Sequence, residues 1–380
     1  MRQAKLLSIG FCAVLLLGFV LQLALPKVRF SENENRYLQT FPTLSGDTIL
    51  DGSFMSDVEK YTTDHFPARD FFVGFKTSVE RAAFNMDNTR VYFGRDGYLF
   101  EKTDRFDMEN VSRNLDALQI FLERLSRQNP DVHASVLIAP TASDILKEKL
   151  PYAAPIAKRQ DLAPLVEEKL GDLAVISDIR HTMEEHRNEE IYYRTDHHWT
   201  TYGAFLAYTQ FAQENGLTPL GRDAFKVERM SDAFLGTTYS KANIFSPRMD
   251  SIERYLPKQE VSCTVDYEGK TALSLYFPEY LEKKDKYSYF LGGNHPITDV
   301  KTSVQNGRTL LMIKDSYAHC FIPFLTNHYE RIIAVDPRYF KEDLMTKIEQ
   351  EKVTDLLVLY NAATFAEDTN LPKLNIGTQS

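Results

Sequence analysis

The residues of this chain best suited to chemistry concentrate in one stretch, Tyr192-Tyr193-Arg194-Thr195-Asp196-His197-His198-Trp199-Thr200, which holds two of the nine histidines and the only tryptophan. In an extended strand or a tight strand-to-helix turn, Asp196 and His198 point the same way, because strand side chains alternate with period two. A carboxylate so placed fixes the tautomer of the imidazole, as a general base requires. The second group is Lys314-Asp315-Ser316-Tyr317, where the apolar run Thr309 to Ile313 gives way to a helical pattern. A serine at the carboxyl end of a strand sits at the open edge of a sheet, and its own backbone N–H at a helix start can stabilise an oxyanion. Serine alone is a weak nucleophile, and His198 held by Asp196 is the base it needs. Asn361, directly after the strand-like Leu356 to Tyr360, is a candidate second oxyanion donor. Trp199, Tyr317, Tyr192, Tyr239 and Arg338 are candidate substrate-binding residues.

Each group also has a plainer reading. Asp315-Ser316 is a common helix N-cap, and an Asn after a strand is usually a turn residue. The double histidine could join Asp196 and His319 around a metal, but no spacing supplies a convincing further ligand, so no metal and no other cofactor is expected. His181 and His186 miss the one-turn spacing of a zinc pair and read as a solvated helix face.

The elements that must position these groups alternate. Val111 to Gln128 is amphipathic and runs into the apolar Val132 to Ala139, a pattern that predicts a sheet covered on both faces. Near the C-terminus, Thr309 to Ile313, Tyr317 to Asn327, Arg331 to Val335, Lys341 to Glu351 and Leu356 to Tyr360 read as strand, helix, strand, helix, strand, the signature of a parallel α/β sheet. Val91 to Gly94 and Gly97 to Phe100 predict a short hairpin. A helical pattern covers Phe54 to Asn85, with Phe71, Phe72 and Phe75 at one-turn spacings, and residues 222–300 read as a less regular insertion.

Composition sets the outer limits. With 380 residues, 43% of them hydrophobic, the chain can bury a large core, and a formal charge of −9 argues against a protein that grips nucleic acid. Residues 6–25 carry no charge and follow Arg2 and Lys5, which predicts an N-terminal transmembrane helix and favours an uncleaved signal anchor over a cleaved signal peptide. The expected organisation is an anchor over 1–26, with a cytoplasmic N-terminus and an exported body, a tether over 27–55, and one α/β domain over 56–380. Cys263 and Cys320 could pair or stay free.

Asp196-His197-His198-Trp199 is the tetrapeptide that gives the bacterial DHHW family its name, and the residues around it resemble that family's central motif. The segments Phe30 to Arg36, Asp64 to Asp70, Gly292 to Pro296, Lys314 to Ala318 and Val335 to Phe340 resemble further family blocks, so the resemblance covers nearly the whole chain. The family is in turn similar to the SGNH-hydrolase-like domains of alginate O-acetylation proteins, in which the Asp-x-His pair precedes the serine, a circular permutation of the ordinary order. The resemblance implies a parallel-sheet fold of that type, with Ser316 as nucleophile, His198 as base, Asp196 as its orienting carboxylate and Asn361 in the oxyanion hole. The implied function is a serine O-acyltransferase or esterase, anchored in the cell membrane, that O-acetylates a cell-surface polysaccharide. A separate multi-spanning membrane acyltransferase would be its acyl donor. Lys314-Asp315 stands where the related block has Gly-Asp, no Gly-x-Asn-Asp surrounds Asn361, and Val335-Asp336-Pro337 lies where an oxyanion-hole glycine is expected. A non-catalytic glycan-binding or assembly protein on the same fold therefore stays open, and in that reading Tyr192, Trp199, Tyr239 and Tyr317 would serve as sugar platforms.

Overall fold

Alternate residues of the apolar C-terminal strands enter two different cores, and this determines the architecture around the site. The computed structural model describes residues 2–31 and 36–375; Met1, Glu32 to Asn35 of the polar stretch behind the apolar run, and residues 376–380 lie outside the described residues. The chain divides into two units, Met1–Asn88 with Tyr239–Pro247, and Thr89–Thr238 with Arg248–Ser380.

In the first unit, helix α1 (Arg2–Ala24) contains the 20-residue segment Lys5–Ala24, long and apolar enough to cross a membrane. The single helical pattern expected from Phe54 to Asn85 is two helices, α2 (Ser53–Asp64) and α3 (Arg69–Ala82). The break falls at Pro67, which has no N–H for a helical ladder, and at Ala68, which takes a left-handed φ of 54°.

The second unit opens with the expected hairpin, Val91–Phe93 against Leu99–Glu101. Helix α4 (Met108–Gln128) buries Val111, Leu115, Leu118, Phe121, Leu122 and Leu125 on one stripe. It is followed by β1 (His133–Ala139), helix α5 (Ala163–Leu170), β2 (Val175–Ile176) and helix α6 (Thr201–Glu214). Then come β3 (Cys263–Tyr267), β4 (Lys270–Ala272), β5 (Ile297–Thr302), β6 (Thr309–Lys314), β7 (Arg331–Val335), helix α7 (Leu344–Gln350), β8 (Asp355–Asn361) and helix α8 (Ala362–Glu367). These strands form one eight-stranded sheet in the order β4-β3-β5-β7-β6-β8-β1-β2.

Strands β7, β6, β8, β1 and β2 run parallel. Leu310, Met312, Ile332, Leu357 and Leu359 face one core, and Leu311, Ile313, Ile333, Leu356 and Val358 the other. A fully buried Leu or Ile contributes about 1.5–3 kcal/mol, so both faces of the sheet are substantial cores. The expected parallel sheet is extended at one edge, where β5, β3 and β4 pair antiparallel. Those strands come from the stretch read as an irregular insertion. They are short and only partly buried, with patterns such as intermediate-intermediate-buried-intermediate-intermediate in β3, and so carry little hydrophobic signal. The same stretch supplies a long hairpin, Phe225–Phe234 with Asp250–Pro257.

The helix expected from Tyr317 to Asn327 is two short turns, a 3-10 turn at Ser316–His319 and Ile322–Leu325. Pro323 has no N–H to close a helical bond across that run. Cys12, Cys263 and Cys320 are all free thiols.

Candidate active site

Strand β6 connects to β7 on one side, and the chain then crosses to β8 on the other. The carboxyl end of β6 is therefore a topological switch point, where an open α/β sheet leaves a crevice. Ser316 is the first residue of the turn after β6. Its neighbour Asp315 is buried and holds the strand ends together: Oδ1 accepts from Tyr317 N at 2.8 Å, and Oδ2 accepts from Asn361 N at 2.8 Å at the end of β8. Burial pushes the Asp315 carboxyl above its ordinary range, although both backbone donors oppose this.

The Asp196 segment is a tight reversal. Tyr192 and Trp199 form an antiparallel bridge, Tyr193 N donates to His198 O at 3.2 Å, and Thr200 then caps α6 through Gly203 N at 3.1 Å. At the tip of this reversal His198 Nδ1 lies 2.5 Å from Asp196 Oδ1, and His198 Nε2 lies 2.7 Å from Ser316 Oγ. The three residues are thus brought together, by a turn and not by strand alternation. With its carboxylate accepting, Asp196 fixes the proton on Nδ1 and leaves Nε2 as acceptor for the serine hydroxyl.

Asp196 is saturated with donors: Oδ1 also accepts from His198 N at 3.1 Å, and Oδ2 from Thr237 N at 2.7 Å and Thr237 Oγ1 at 3.0 Å. Burial works against its charge, but the facing imidazoles and the Thr237 donor hold its carboxyl well below the ordinary range. Burial, first, and the neighbouring His197 push His198 below the ordinary imidazole range, against the pull of Asp196. The neutral imidazole is the base form. A pH profile of kcat/KM should therefore keep its acidic limb below pH 6.5, the ordinary imidazole value. A limb at or above that value would show that His198 is not the titrating base.

Several positioning residues carried no sequence signal. The Tyr287 ring stacks on His198 with centroids 3.7 Å apart and planes 13° apart, and its hydroxyl donates to Ser316 O at 3.1 Å. The His197 ring lies 3.9 Å from His198. Two rings cannot share one face at these separations, so the imidazole is clasped between them. His197 Nδ1 lies 2.8 Å from Thr237 Oγ1, the hydroxyl that donates to Asp196. Gly236 is buried against Asp196; a Cβ there would stand 2.2 Å from Asp196 Oδ2.

The turn is held from below by Asp250, whose carboxylate accepts from Arg194 N at 2.9 Å, Thr195 N at 2.8 Å and Thr195 Oγ1 at 2.6 Å. Truncating Asp250 to alanine removes the acceptor of three donors. The part-buried Arg194 N and the buried Thr195 N have no other acceptor among the described residues, while Thr195 Oγ1 keeps Phe234 O at 3.4 Å. An unmet donor costs about 1–3 kcal/mol before relaxation. We expect Asp250→Ala to lower the unfolding midpoint by about 10 °C, the scale of a loss of several kcal/mol in a domain of this size. A midpoint unchanged in a thermal melt would mean that Asp250 does not brace this turn.

Lys314 is buried in a second polar network. Its ammonium lies 2.8 Å from His319 Nε2 and 3.9 Å from the Asp336 carboxylate, which in turn pairs with Arg338 at 2.6 Å. Burial lowers Lys314 to about 8, with Asp336 opposing.

Six expected contact residues need correction or qualification. Trp199, Tyr192 and Tyr317 are closed to solvent and cannot serve as sugar platforms. Their polar tips are used inside: Trp199 Nε1 donates to Tyr317 O at 3.0 Å, Tyr192 Oη to Pro140 O at 2.8 Å, and Tyr317 Oη to His197 O. Asn361 Oδ1 caps α8 by accepting from Ala363 N at 3.0 Å, which leaves its Nδ2, 3.4 Å from Ala139 O, as the donating end. Arg338 is partly exposed and bidentate on Asp336. Tyr239 belongs to the first unit and is half-buried there. As for a metal, Asp196, His197 and His198 place one ligand atom each within 4.8 Å of one another, but both His198 nitrogens are already engaged, by Asp196 and by Ser316. His319, the other residue considered as a ligand, is bonded to Lys314 instead.

Comparison with known proteins gives the chain a family. Residues 136–335, which include Asp196, His198 and Ser316, match the family described as DHHW protein. A probable alginate O-acetylase AlgJ of Pseudomonas fluorescens is 23% identical over 178 residues, covering 46% of this chain and 45% of that protein, so the chain spans about half the length of the curated relatives it matches. Among solved structures, a DHHW family protein from Eubacterium siraeum is 24% identical with a TM-score of 0.63, covering 75% of this chain and 94% of that one. Bacillus cereus PatB1 is 17% identical with a TM-score of 0.60, covering 72% and 96%. The match over 136–335 takes in more than half of the 380 residues, and the chain belongs to the DHHW protein family.

Proposed function

We propose that this chain is a membrane-anchored serine O-acyltransferase or esterase that O-acetylates a cell-surface polysaccharide on the outer side of the membrane, on a circularly permuted SGNH-hydrolase-like fold. One observation carries the reading: the unbroken hydrogen-bonded line from Asp196 through His198 to Ser316 at the switch point of the sheet. Likeness to an alginate O-acetylase supports the polysaccharide class of substrate, and α1 supports the anchor.

Ser316 Oγ attacks the acetyl carbonyl as His198 Nε2 takes its proton, and Asp196 stabilises the resulting imidazolium. The developing oxyanion is met by the Ser316 N–H, which as the first residue of its turn has no carbonyl one turn back to bond, and by Asn361 Nδ2. His198 returns the proton to the leaving group, and acetyl-Ser316 remains. A sugar hydroxyl, deprotonated by His198, then attacks the acetyl carbonyl, and His198 passes that proton to Ser316 Oγ as the acyl bond breaks, which restores the serine; water in place of the sugar makes the reaction a hydrolysis. The acetyl group is supplied by a separate multi-spanning membrane acyltransferase.

Incubating the detergent-solubilised chain with a chromogenic acetyl ester, with and without a neutral or uronic-acid polysaccharide, tests the direction. Transfer predicts ester-linked acetyl on the glycan in wild type and none with Ser316→Ala. Release of free acetate alone would make the chain an esterase, and equal turnover by both proteins would reject catalysis by this serine.

A further inference from the structure

Five phenylalanine rings form a continuous exposed surface in the first unit. Phe71, Phe72 and Phe75 on α3 are 56%, 52% and 53% exposed, Phe66 just before α3 is 47% exposed, and Phe245 is 44% exposed. Adjacent rings touch: Phe66 and Phe72 lie 5.8 Å apart, Phe71 and Phe72 5.6 Å, Phe71 and Phe75 6.2 Å, and Phe71 and Phe245 6.0 Å. Val79, one turn beyond Phe75, extends the stripe and is 51% exposed. The opposite side of α3 is packed, with Gly74 and Thr77 buried, and Gly74 is so close to Phe245 that a Cβ would stand 2.7 Å from its ring. Lys76 and Glu80 flank the stripe at 100° per residue. This is the pattern of an amphipathic helix with its apolar face outward, and a contiguous patch of this kind marks a surface with a partner.

The place of the patch along the chain says what that partner is. Gln22 in the last turn of α1 donates to Thr62 O of α2 at 3.5 Å, and His65 Nε2 lies 3.1 Å from Val28 O, three residues past the last leucine of the apolar run. Arg36, a little further along, is bidentate on Asp64, at 3.0 and 2.5 Å. The α2–α3 junction is thus pinned to the residues that emerge from the apolar helix, and the aromatic stripe begins within one turn of that pin. Lys27 and Arg29 at the exit and Arg69 at the start of α3 add the basic groups that favour an anionic headgroup layer.

We infer that α3 lies in the lipid headgroup region with Phe71, Phe75 and Val79 facing the acyl chains, a second, interfacial attachment beside the spanning helix. The inference rests on the reading of α1 as a membrane anchor. An interfacial helix buries its apolar face about 5–10 Å into the headgroup–acyl boundary, a depth at which phenylalanine is favoured. Fourteen residues make α3 about 21 Å long, so it lies along the surface over most of its length.

The test uses the full chain in vesicles of phosphatidylcholine with a minor fraction of phosphatidylglycerol, with or without bromine on the acyl chains. The native Trp199 is fully buried and gives a constant background, so Phe75→Trp reports the stripe and Glu80→Trp the flank of the same helix. We expect brominated lipid to quench the Phe75→Trp emission at least about twofold more than the Glu80→Trp emission, as an inward-facing interfacial stripe requires. Equal quenching of the two, or none, overturns the inference. So does a Phe75→Trp emission shielded from iodide in detergent but untouched by bromine, which would mean that protein covers the patch. Alkaline carbonate washing of the same vesicles separates the two readings: a chain that washes off has lost the anchor, and one that stays with an unquenched stripe has lost only the interfacial helix.

Discussion

Replacing Ser316 by alanine should lower acetyl-ester turnover by about 10⁴-fold or more, the scale of losing a nucleophile whose companions act only through it. His198→Ala should cost about as much, and the double variant no more than either single one, because hydrogen-bonded groups that act as a unit lose their effect together. The arrangement that predicts this is local and fully buried on one side: His198 Nε2 lies 2.7 Å from Ser316 Oγ, and the imidazole cannot swing away because Tyr287 stacks on it and Asp196 holds its far nitrogen. Thermal melts separate this from misfolding, since Ser316 contributes a small hydroxyl to the crevice edge and Ser316→Ala should melt close to wild type. Multiplicative losses in the double variant would mean that serine and histidine act independently.

The second large effect comes from a residue that carries no reactive group. A Cβ on Gly236 would stand 2.2 Å from Asp196 Oδ2, 2.3 Å from its Cβ and 2.5 Å from its Cγ. Because the stem of the aspartate collides as well as its tip, no rotamer change relieves the contact, and the carboxylate or the 236–237 backbone must move. Either movement breaks the Thr237 bonds or shifts the charge that orients His198. Misplacing an orienting group by about 1 Å is enough to cost roughly 10²-fold in rate. Gly236→Ala should therefore cut kcat by about 10² or more with little change in KM, and combining it with Asp196→Asn should add little to the loss from Asp196→Asn alone. Steady-state kinetics on the four proteins decide this. A Gly236→Ala enzyme with wild-type kcat would mean that the carboxylate does not have to be held where it stands.

What the sequence made legible follows from how strong each local signal is. The continuous apolar strands β1, β6, β7 and β8 could be read directly, since burial on both faces leaves no polar alternation to obscure them. Asp196, His198 and Ser316 stand out as candidates from a strand end and an Asp-x-His spacing in a few contiguous residues. A turn and not strand alternation brings Asp196 and His198 together, however, and a 3-10 turn and not a longer helix follows Ser316. The antiparallel edge could not be read, because β3, β4 and β5 are short and only partly buried, and take their place from pairing with β7 and not from their own composition.

The supporting residues were hidden for a related reason. Tyr287, Thr237, Gly236 and Asp250 reach the site across separations of 29 to 56 residues from their partners, through contacts that no local pattern encodes. The aromatic residues err in the opposite direction. Trp199, Tyr192 and Tyr317 sit beside the reactive groups in sequence, which suggests substrate contacts, yet each side chain is closed to solvent and spends its polar tip on a backbone carbonyl. On α3 the one-turn spacing of Phe71, Phe72 and Phe75 marks a helix but not which way its apolar face turns, and the rings are exposed.

The most direct measurement is peptide mass spectrometry of the full chain after brief exposure to an acetyl ester and an acid quench. A covalent nucleophile at the switch point predicts one acetyl group on the peptide carrying Ser316, absent in Ser316→Ala and accumulating when the second step is starved of acceptor. No acetylation of that peptide under conditions where ester is consumed, or acetylation on another residue that survives Ser316→Ala, would contradict the triad.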